Sequence, residues 1–392
     1  MLLKERTSKE DKMQSKNQRT EKPTAHGAKL SVADQKIETM GAGIVHDIKS
    51  GNPPKFTTTT RTRSNVIFDQ AKGYLKLGDS TEERTFTNVS QSKRFMQTIA
   101  IASKCHRFVK ENLHTTIRGL YYQLKFSLGE DIDENIFSEQ AESNPLIEDL
   151  EVSLGLKREE LNLNANRKGV LAGNMKIIDT FGNEKIEIDC SKQGRSGWAI
   201  PSDVDNDIEF VNVKAKYVLV VEKDALWQRL NEDLFWKKEN CILMTPQGQA
   251  ARGTRRLIRK LSDKGLPVYV FTDSDAWGWY IYWTIKTGSI NLAYIGSEVA
   301  TPGARFLGVT MSDLDKYDFL NKLTINASEV DLKRAQEMLD YEWIGKYKEW
   351  QVELERMIKS KKKLEQDALQ GPRLTFVDDY IRDKINGKEY LP

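Results

Sequence analysis

The sequence predicts a mixed α/β protein in which a helical module closed by a hairpin precedes a parallel-sheet α/β domain. Three observations predict it. Residues 218–221, 241–244 and 268–271 are short apolar runs, each followed by a helix-patterned stretch. Strand and helix alternating in this way imply a parallel sheet with right-handed crossovers. Three helix-patterned segments between residues 88 and 154 precede an alternating stretch at 161–173, the order of helices followed by a hairpin. The first 63 residues are poor in large apolar side chains and rich in Lys, Thr, Gln and Ser. The expected domains are therefore a basic flexible extension over 1–63, the helical module over 64–178, and the α/β domain with a connecting segment and C-terminal helices over 179–392.

Composition narrows the function classes. A chain of 392 residues has room for two or three domains, and 39% hydrophobic with 9% aromatic residues suffices for folded cores. No apolar run reaches the length of a membrane span, and no signal-peptide pattern opens the chain, so no membrane association is expected. Cys105, Cys190 and Cys241 are far apart and read as reduced residues; neither a CxxC pair nor a His/Cys zinc spacing is present. Residues 1–63 carry 13 Lys and Arg against 7 Asp and Glu, whereas the remainder is slightly acidic. A nucleic-acid partner would be held by a patterned surface together with this arm, not by a broadly basic body.

In chain order, the extension reads as a tail or as an arm giving salt-dependent contact with DNA phosphates; residues 51–60 could dock on a partner instead. Residues 66–68 and 74–77 suggest short strands. A helix follows from Asn88 or Ser90, with Phe95, Ile99, Ala102, His106 and Val109 on one face. On that stripe His106 reads as a packed histidine and not as a ligand. The next helix contains TTIRGLYYQLK, 115–125. Ile117, Leu120, Tyr121 and Leu124 share one face; Arg118, Tyr122 and Lys125 share another. Tyr121 is thus expected in the core and Tyr122 among cations. A phenol flanked by Arg and Lys suits phosphoryl transfer, because the cations stabilise the phenolate and bind the phosphate it attacks. The plain alternative is a surface tyrosine in cation–π contact with Arg118.

Asn144-Pro145 reads as the N-cap and first residue of a helix reaching Leu154. The hairpin expected at 161–173 would complete a winged-helix module, with Arg167 and Lys168 at the wing tip. Residues 180–214 read as a connection anchored by Trp198. The turn 248–253 has the glycine spacing of a phosphate-binding loop, but Thr254-Arg255 stands where Lys-Ser/Thr is required, so nucleotide binding is rejected there. Arg252, Arg255 and Arg256 are left as candidate contacts to DNA backbone. Residues 329–369 read as helix packing on the domain or on a second copy, 359–363 as a solvated basic face, and 375–385 as a closing helix.

The chemistry concentrates where the apolar runs end. Val268 to Phe271 stops at Asp273-Ser274-Asp275, and Val218 to Val221 stops at Glu222. In an open parallel sheet ligands collect beyond the carboxyl ends of the strands. Carboxylates converging there suit magnesium, which binds through one or two carboxylates plus substrate phosphate. An Asp that merely caps the following helix is the bland alternative for the Asp pair.

A Glu after one strand and Asp-x-Asp after another resembles the Toprim fold of topoisomerases and primases. Together with TTIRGLYYQLK, the stretches VVEKDALWQRL and VFTDSDAWGWYIYWTIKTGSINLAY resemble the DNA-cleaving A subunits of type IIB DNA topoisomerases (topoisomerase VI), related to the meiotic double-strand-break transesterase. The resemblance runs from about Arg63 to the C-terminus. It implies a winged-helix domain followed by a Toprim domain, with Tyr122 matching the nucleophile, Arg118 the supporting arginine, and Glu222, Asp273 and Asp275 the magnesium-binding acids. It further implies double-stranded DNA as substrate, a 5′-phosphotyrosyl intermediate, a homodimer, and an A2B2 assembly whose ATPase B subunit uses ATP that this chain does not bind. Such a complex is expected in the cytoplasm of an archaeal cell, or in the nucleus if the source is a plant. Alternatives are a meiotic-type break-maker using the same residues, a Toprim nuclease or primase without a tyrosine nucleophile, and a non-catalytic DNA-binding protein.

Overall fold

The computed structural model describes residues 31–129, 132–181 and 184–392. The segment 1–30 of the expected basic arm lies outside the described residues. The rest of the expected extension is folded, which corrects the expectation of a flexible arm to residue 63. Helix α1 (Val32–Lys49) starts where the Ser31 hydroxyl accepts a hydrogen bond from Asp34 N, at 3.1 Å. Strand β1 (Lys55–Thr59) follows. The pair β2 (Val66–Asp69) and β3 (Tyr74–Leu77) and then β4 (Thr81–Thr85) lead into α2 (Val89–Glu111). Strands β1 and β4 pair antiparallel along their full length. Ile44 of α1, Phe56 of β1 and Phe95 of α2 form a small core, while Ala33 and Ile37 join the larger core beneath α2. The apolar positions 33, 37, 40 and 44 keep helical spacing, although polar residues outnumber them. Arg61 then seals the segment: its guanidinium pairs with Glu148 at 2.5 Å and Asp149 at 2.9 Å.

The helical module continues with α3 (Ile117–Leu124) and α4 (Gln140–Leu154). Helix α4 begins five residues before Pro145, so Asn144-Pro145 is not its start. Gly155 in a left-handed conformation ends it. The hairpin expected at 161–173 does not form. Leu163 and Asn164 pair in parallel with Thr115 and Thr116, and β5 (Val170–Gly173) crosses into the central sheet. Three of its four residues are buried, which suits a sheet interior better than a wing. Arg167 and Lys168 therefore sit at no wing tip; Lys168 Nζ donates to Gln249 O at 3.1 Å. The expected connection also folds. Strands β6 (Met175–Phe181), β7 (Glu184–Asp189) and β9 (Ile208–Val213) form an antiparallel sheet with β6 in the middle; between them β8 (Trp198–Ala199) pairs with β5.

The central sheet completes the domain. It adds β10 (Val218–Val221), β11 (Ile242–Thr245), β12 (Val268–Phe271) and β13 (Arg305–Gly308), in the spatial order β8-β5-β11-β10-β12-β13. The last four strands are parallel; β5 and β8 close one edge antiparallel. The crossover helices are α5 (Asp224–Glu232), α6 (Arg252–Asp263) and α7 (Ala276–Thr287). The chain runs from β10 to β11 on one side and then to β12 on the other. Strand order thus reverses between β10 and β12, and a crevice opens at their carboxyl ends.

The predicted C-terminal helix is broken in two, α8 (Glu329–Leu339) and α9 (Lys348–Ser360), before α10 (Phe376–Asn386) closes the chain. Trp350 of α9 is fully buried, with ring centroids of Trp279, Tyr282, Trp283 and Phe306 within 4.9–6.0 Å. It fastens α9 to α7 and β13. Beyond α9, Leu364 forms an isolated bridge with Ser274 and so brings residues 363–366 to the crevice. The three arginines of α6 do not form a DNA face. Arg252 pairs with buried Glu151 at 2.7 Å, Arg256 with Asp205 at 2.8 Å, and Arg255 is 3% exposed. The helical module and the β5–β9 region cover the polar side of α6. Among the described residues no helix is long and apolar enough to cross a membrane.

Trp350→Ala removes the ring that four aromatic neighbours share. It is expected to lower unfolding free energy by about 3–5 kcal/mol in urea titration, and a loss below about 1 kcal/mol would show that α9 is not held through this residue.

Candidate active site

Glu222 is the first residue beyond β10. Its backbone N–H donates to Phe271 O (3.0 Å) and its carbonyl accepts from Gly248 N (3.0 Å), so it is pinned between β12 and the turn after β11. Asp273 lies beyond β12 and is 8% exposed. Its Oδ1 accepts from Gln366 N at 2.8 Å, and its Oδ2 faces Lys223 Nζ at 3.1 Å. The N–H of Asp273 points at Glu222 Oε2, 3.4 Å away. Asp275 is the N-cap of α7: its Oδ1 accepts from Trp277 N (3.0 Å) and Gly278 N (2.7 Å). A side chain at Gly278 would strike the carbonyl oxygen of Asp273, so glycine lets the helix start this close to the strand. The other oxygen of Asp275 lies 3.4 Å from Lys363 Nζ. The capping role is therefore present in Asp275, and it leaves the second carboxylate oxygen turned toward the crevice.

The three acids share one crevice without closing on a point. Among the described residues, the only trio of His, Cys, Asp or Glu whose ligating atoms all lie within 4.8 Å is elsewhere. Two ammonium groups stand among the carboxylates. Lys223 meets Asp273, Glu365 at 3.2 Å and Asp367 at 2.8 Å, and Lys363 meets Asp275 and Asp331 at 3.1 Å. Burial pushes the Glu222 carboxyl up to about 7, with the charges of Asp273 and Asp275 adding to it. Burial pushes Asp273 up to about 6 against the pull of Gln366 N–H and Lys223. An oxygen-only set of crowded carboxylates, in which Asp273 and Asp275 each turn one oxygen to a lysine ammonium, suits a hard divalent cation. The lysines supply the compensating charge in its place.

Sequence reasoning misses two groups of this crevice. Lys223 directly follows Glu222, and that adjacency is the signal that could have found it. Lys363 ends the run 359–363 that reads as a solvated face; the structure places it half-buried between Asp275 and Asp331. Its partners are remote in sequence, so nothing local marks it.

The tyrosines separate as their spacing predicts. Thr116 caps α3, its hydroxyl accepting from Gly119 N at 3.0 Å. Tyr121 is buried and its hydroxyl donates to Ser138 O at 3.0 Å. Tyr122 is 59% exposed. Arg118, one turn earlier, reaches its oxygen with Nη2 at 3.5 Å, and the guanidinium carbon lies 5.8 Å from the ring centre. The Arg118 hydrogen bond and charge hold the Tyr122 phenol below its ordinary pKa, with a smaller contribution from Lys125. Lys125 itself lies over the Tyr121 ring, 5.8 Å from its centre. Among the described residues no hydrogen bond, ion pair or ring contact joins Tyr122 or Arg118 to Glu222, Asp273 or Asp275.

Comparison with known proteins gives three family matches in chain order. Residues 93–163 match the family described as type IIB DNA topoisomerase. Residues 168–214 match the all-beta domain in DNA topoisomerase VI alpha subunit, the region of the β6–β7–β9 sheet. Residues 217–385 match the Toprim domain shared by the topoisomerase 6 A subunit and Spo11. Among similar curated proteins is the A subunit of type 2 DNA topoisomerase 6 from Pyrococcus abyssi, 42% identical over 370 residues, spanning 91% of this chain and 95% of the relative. The proteins of the same name from Aeropyrum pernix and Saccharolobus shibatae are 42% and 40% identical, spanning 89% and 92% of this chain and 92% and 98% of the relatives.

The raised carboxyls set the sign of a pH effect. Unfolded, Glu222 ionises near 4.5; folded, it holds its proton to about 7. Between those values the folded state binds more protons, so this contribution is full below pH 4.5 and is lost as pH rises through 7. Without divalent cations, urea titrations at pH 5 and pH 8 should show stability falling with pH. Glu222→Gln should reduce that fall by on the order of 2 kcal/mol. An equal fall in both proteins would mean that Glu222 is not the group responsible.

Proposed function

The chain belongs to the A-subunit family of type IIB DNA topoisomerases, the DNA-cleaving subunits of these enzymes, and on that premise we propose that Tyr122 is its nucleophile. The carrying observation is the division of labour on α3. Tyr121 is locked into the core through Ser138, whereas Tyr122 is exposed beside Arg118, which favours the phenolate. Arg118 has the further role of binding the phosphate under attack, since a guanidinium matches phosphate oxygens in charge and geometry.

The reaction is transesterification. The Tyr122 phenol gives its proton to solvent and its oxygen forms a bond to phosphorus, the bond from phosphorus to the 3′ oxygen breaks, and that oxygen takes up a proton from solvent and leaves as a 3′ hydroxyl. The DNA 5′ end remains joined to Tyr122. Because the phosphodiester is exchanged and not hydrolysed, the reverse attack by the 3′ hydroxyl religates the strand without ATP. Glu222, Asp273 and Asp275 are proposed to hold Mg2+, which when bound stabilises charge on the phosphate and the leaving oxygen. The fit rests on the oxygen-only donor set and on carboxyls whose charge the fold has crowded and partly buried. Lys223 and Lys363 keep the site balanced and hold its oxygens in position.

Two strands require two tyrosines, so the proposed unit is a homodimer. The lack of any contact between Tyr122 and the acids of the same chain, among the described residues, supports a site built from the tyrosine of one copy and the acids of another. The relatives are named as one lettered subunit of an enzyme, which implies a partner subunit. We assign ATP use to that partner, in an A2B2 assembly, because the 248–253 turn lacks the Lys-Ser/Thr of a phosphate-binding loop. The archaeal relatives favour an archaeal cytoplasm as the location.

The test is a covalent-adduct assay with the ATPase partner, magnesium, ATP and end-labelled supercoiled DNA, quenched with detergent. Wild type and Tyr121→Phe should yield a 5′-linked adduct, and Tyr122→Phe none. Arg118→Ala should slow its formation by roughly 10²-fold. Adduct loss in Tyr121→Phe alone would move the nucleophile to the other tyrosine. A normal adduct in Tyr122→Phe would remove both the residue and its face from the mechanism.

A further inference from the structure

A second cluster of metal-ligating side chains lies far from the acid-bearing sheet. Asp34 and Glu38 are one turn apart on α1, and His106 faces them from α2. These three form the trio whose ligating atoms all lie within 4.8 Å of one another. His106 Nε2 is 2.9 Å from Asp34 Oδ1 and 3.3 Å from Glu38 Oε1. One ring nitrogen carries at most one proton, so it can serve only one of these oxygens. The hydrogen-bonding geometry goes to Glu38. Asp34 is 3% exposed, and its Oδ1, although aimed at the imidazole, has no hydrogen-bond partner. A buried carboxylate oxygen without a donor is costly unless a positive charge supplies what the donor does not.

We propose that Asp34, Glu38 and His106 form a zinc site that staples α1 to α2. Zinc takes nitrogen at about 2.0–2.1 Å and carboxylate oxygen at about 2.0–2.2 Å, and tetrahedral angles then set these atoms roughly 3.3 Å apart. The observed separations of 2.9 and 3.3 Å need little more than a side-chain adjustment. The imidazole selects a borderline ion over magnesium, which prefers oxygen ligands alone. Glu38 is exposed and His106 half-buried, beside a hollow of about 230 Å3 lined in part by Met40 and Ser103, so water has access to a fourth position. The competing cation is Lys110, whose Nζ lies 2.8 Å from Glu38 Oε1. It sits on a flexible, exposed side chain and can move aside. The ligands come from helices whose contributions lie 68 residues apart for Glu38 and His106, so no local zinc spacing shows in the sequence. Zinc here would fix the first described helix onto the tyrosine-bearing module without touching the reaction.

The test uses the full chain, stripped with chelator and returned to millimolar magnesium so that the acid crevice is not left for zinc. Calorimetric titration with zinc chloride should give one ion per chain, bound more tightly than about 10 μM. His106→Gln and Glu38→Gln should each weaken it at least tenfold, and Glu222→Gln should not change it. Zinc should also raise the melting temperature of wild type and not of His106→Gln. Glu38 is exposed, so its variant keeps the test valid if His106→Gln does not fold. Binding weaker than about 100 μM, or affinity unchanged in Glu38→Gln, would overturn the proposal. So would loss of zinc in Glu222→Gln, which would place the ion in the crevice.

Discussion

The geometry of this molecule depends on one buried carboxylate. Glu151, near the end of α4, has a fully buried side chain; it pairs with Arg158 at 3.0 Å and Arg252 of α6 at 2.7 Å, and accepts from the Tyr294 hydroxyl at 2.8 Å. Burial alone would raise its pKa, but Arg252 and Arg158 outweigh burial and hold it below the ordinary value. Such a cluster adds little net stability over an apolar one, yet removing one member strands a charge at a cost of about 3–5 kcal/mol. Its value is positional. It ties the tyrosine-bearing helical module to the acid-bearing sheet at one defined orientation, and Arg61, anchored on neighbouring Glu148 and Asp149, adds the N-terminal segment to the same joint.

The same principle, charge compensated at a distance from where it arises, governs the crevice. Sheet topology forces Glu222 and Asp273 together at the switch between β10 and β12. Burial raises both carboxyls, the charges of Asp273 and Asp275 adding to the rise of Glu222 and that of Asp275 to the rise of Asp273. The compensation is imported from the C-terminal region. Bridging of Leu364 to Ser274 delivers Lys363 and the Gln366 N–H, while Glu365 and Asp367 steady Lys223. The C-terminal helices are therefore part of the site: Trp350 secures α9, and α9 runs directly into the segment that satisfies Asp273 and Asp275. A cation entering the crevice competes with ammonium groups already held there by other acids.

What the sequence revealed follows the range of the interactions. The strands β10, β11 and β12 announce themselves as continuous apolar runs because both of their faces are buried, and the acids follow directly after the first and third of them. The opposite fates of Tyr121 and Tyr122 follow from helical spacing alone. Most of the misreadings are non-local. Val170 to Gly173 looks like half a hairpin, but its partner is Ile242 to Thr245. Lys363 looks solvated until Asp275, 88 residues away, is placed beside it. Arg252 looks like a surface cation until Glu151, 101 residues away, is seen to need it. Helix α1 was hidden differently: its stripe of Ala33, Ile37, Met40 and Ile44 is narrow, and composition averaged over 63 residues conceals it.

Placement of the two chemical groups on separate structural elements has a consequence for the proposed reaction. Tyr122 rides on α3, whose fixed partners are α2 and α4; the acids ride on strand ends whose partners are the C-terminal elements. Neither group borrows support from the other, so each is preorganised before they meet. If, as proposed, a second copy supplies the acids, a lone chain does not cut DNA, and a nucleophile joined to its product by a covalent bond does not release the end it has made. In the proposed arrangement the separation restrains breakage at both stages: cutting would need assembly, and the cut end would stay on the protein that made it. On this reading the long buried joint around Glu151 also carries the mechanism, since the distance between tyrosine and acids across two copies is set by how rigidly each copy holds its own pair apart.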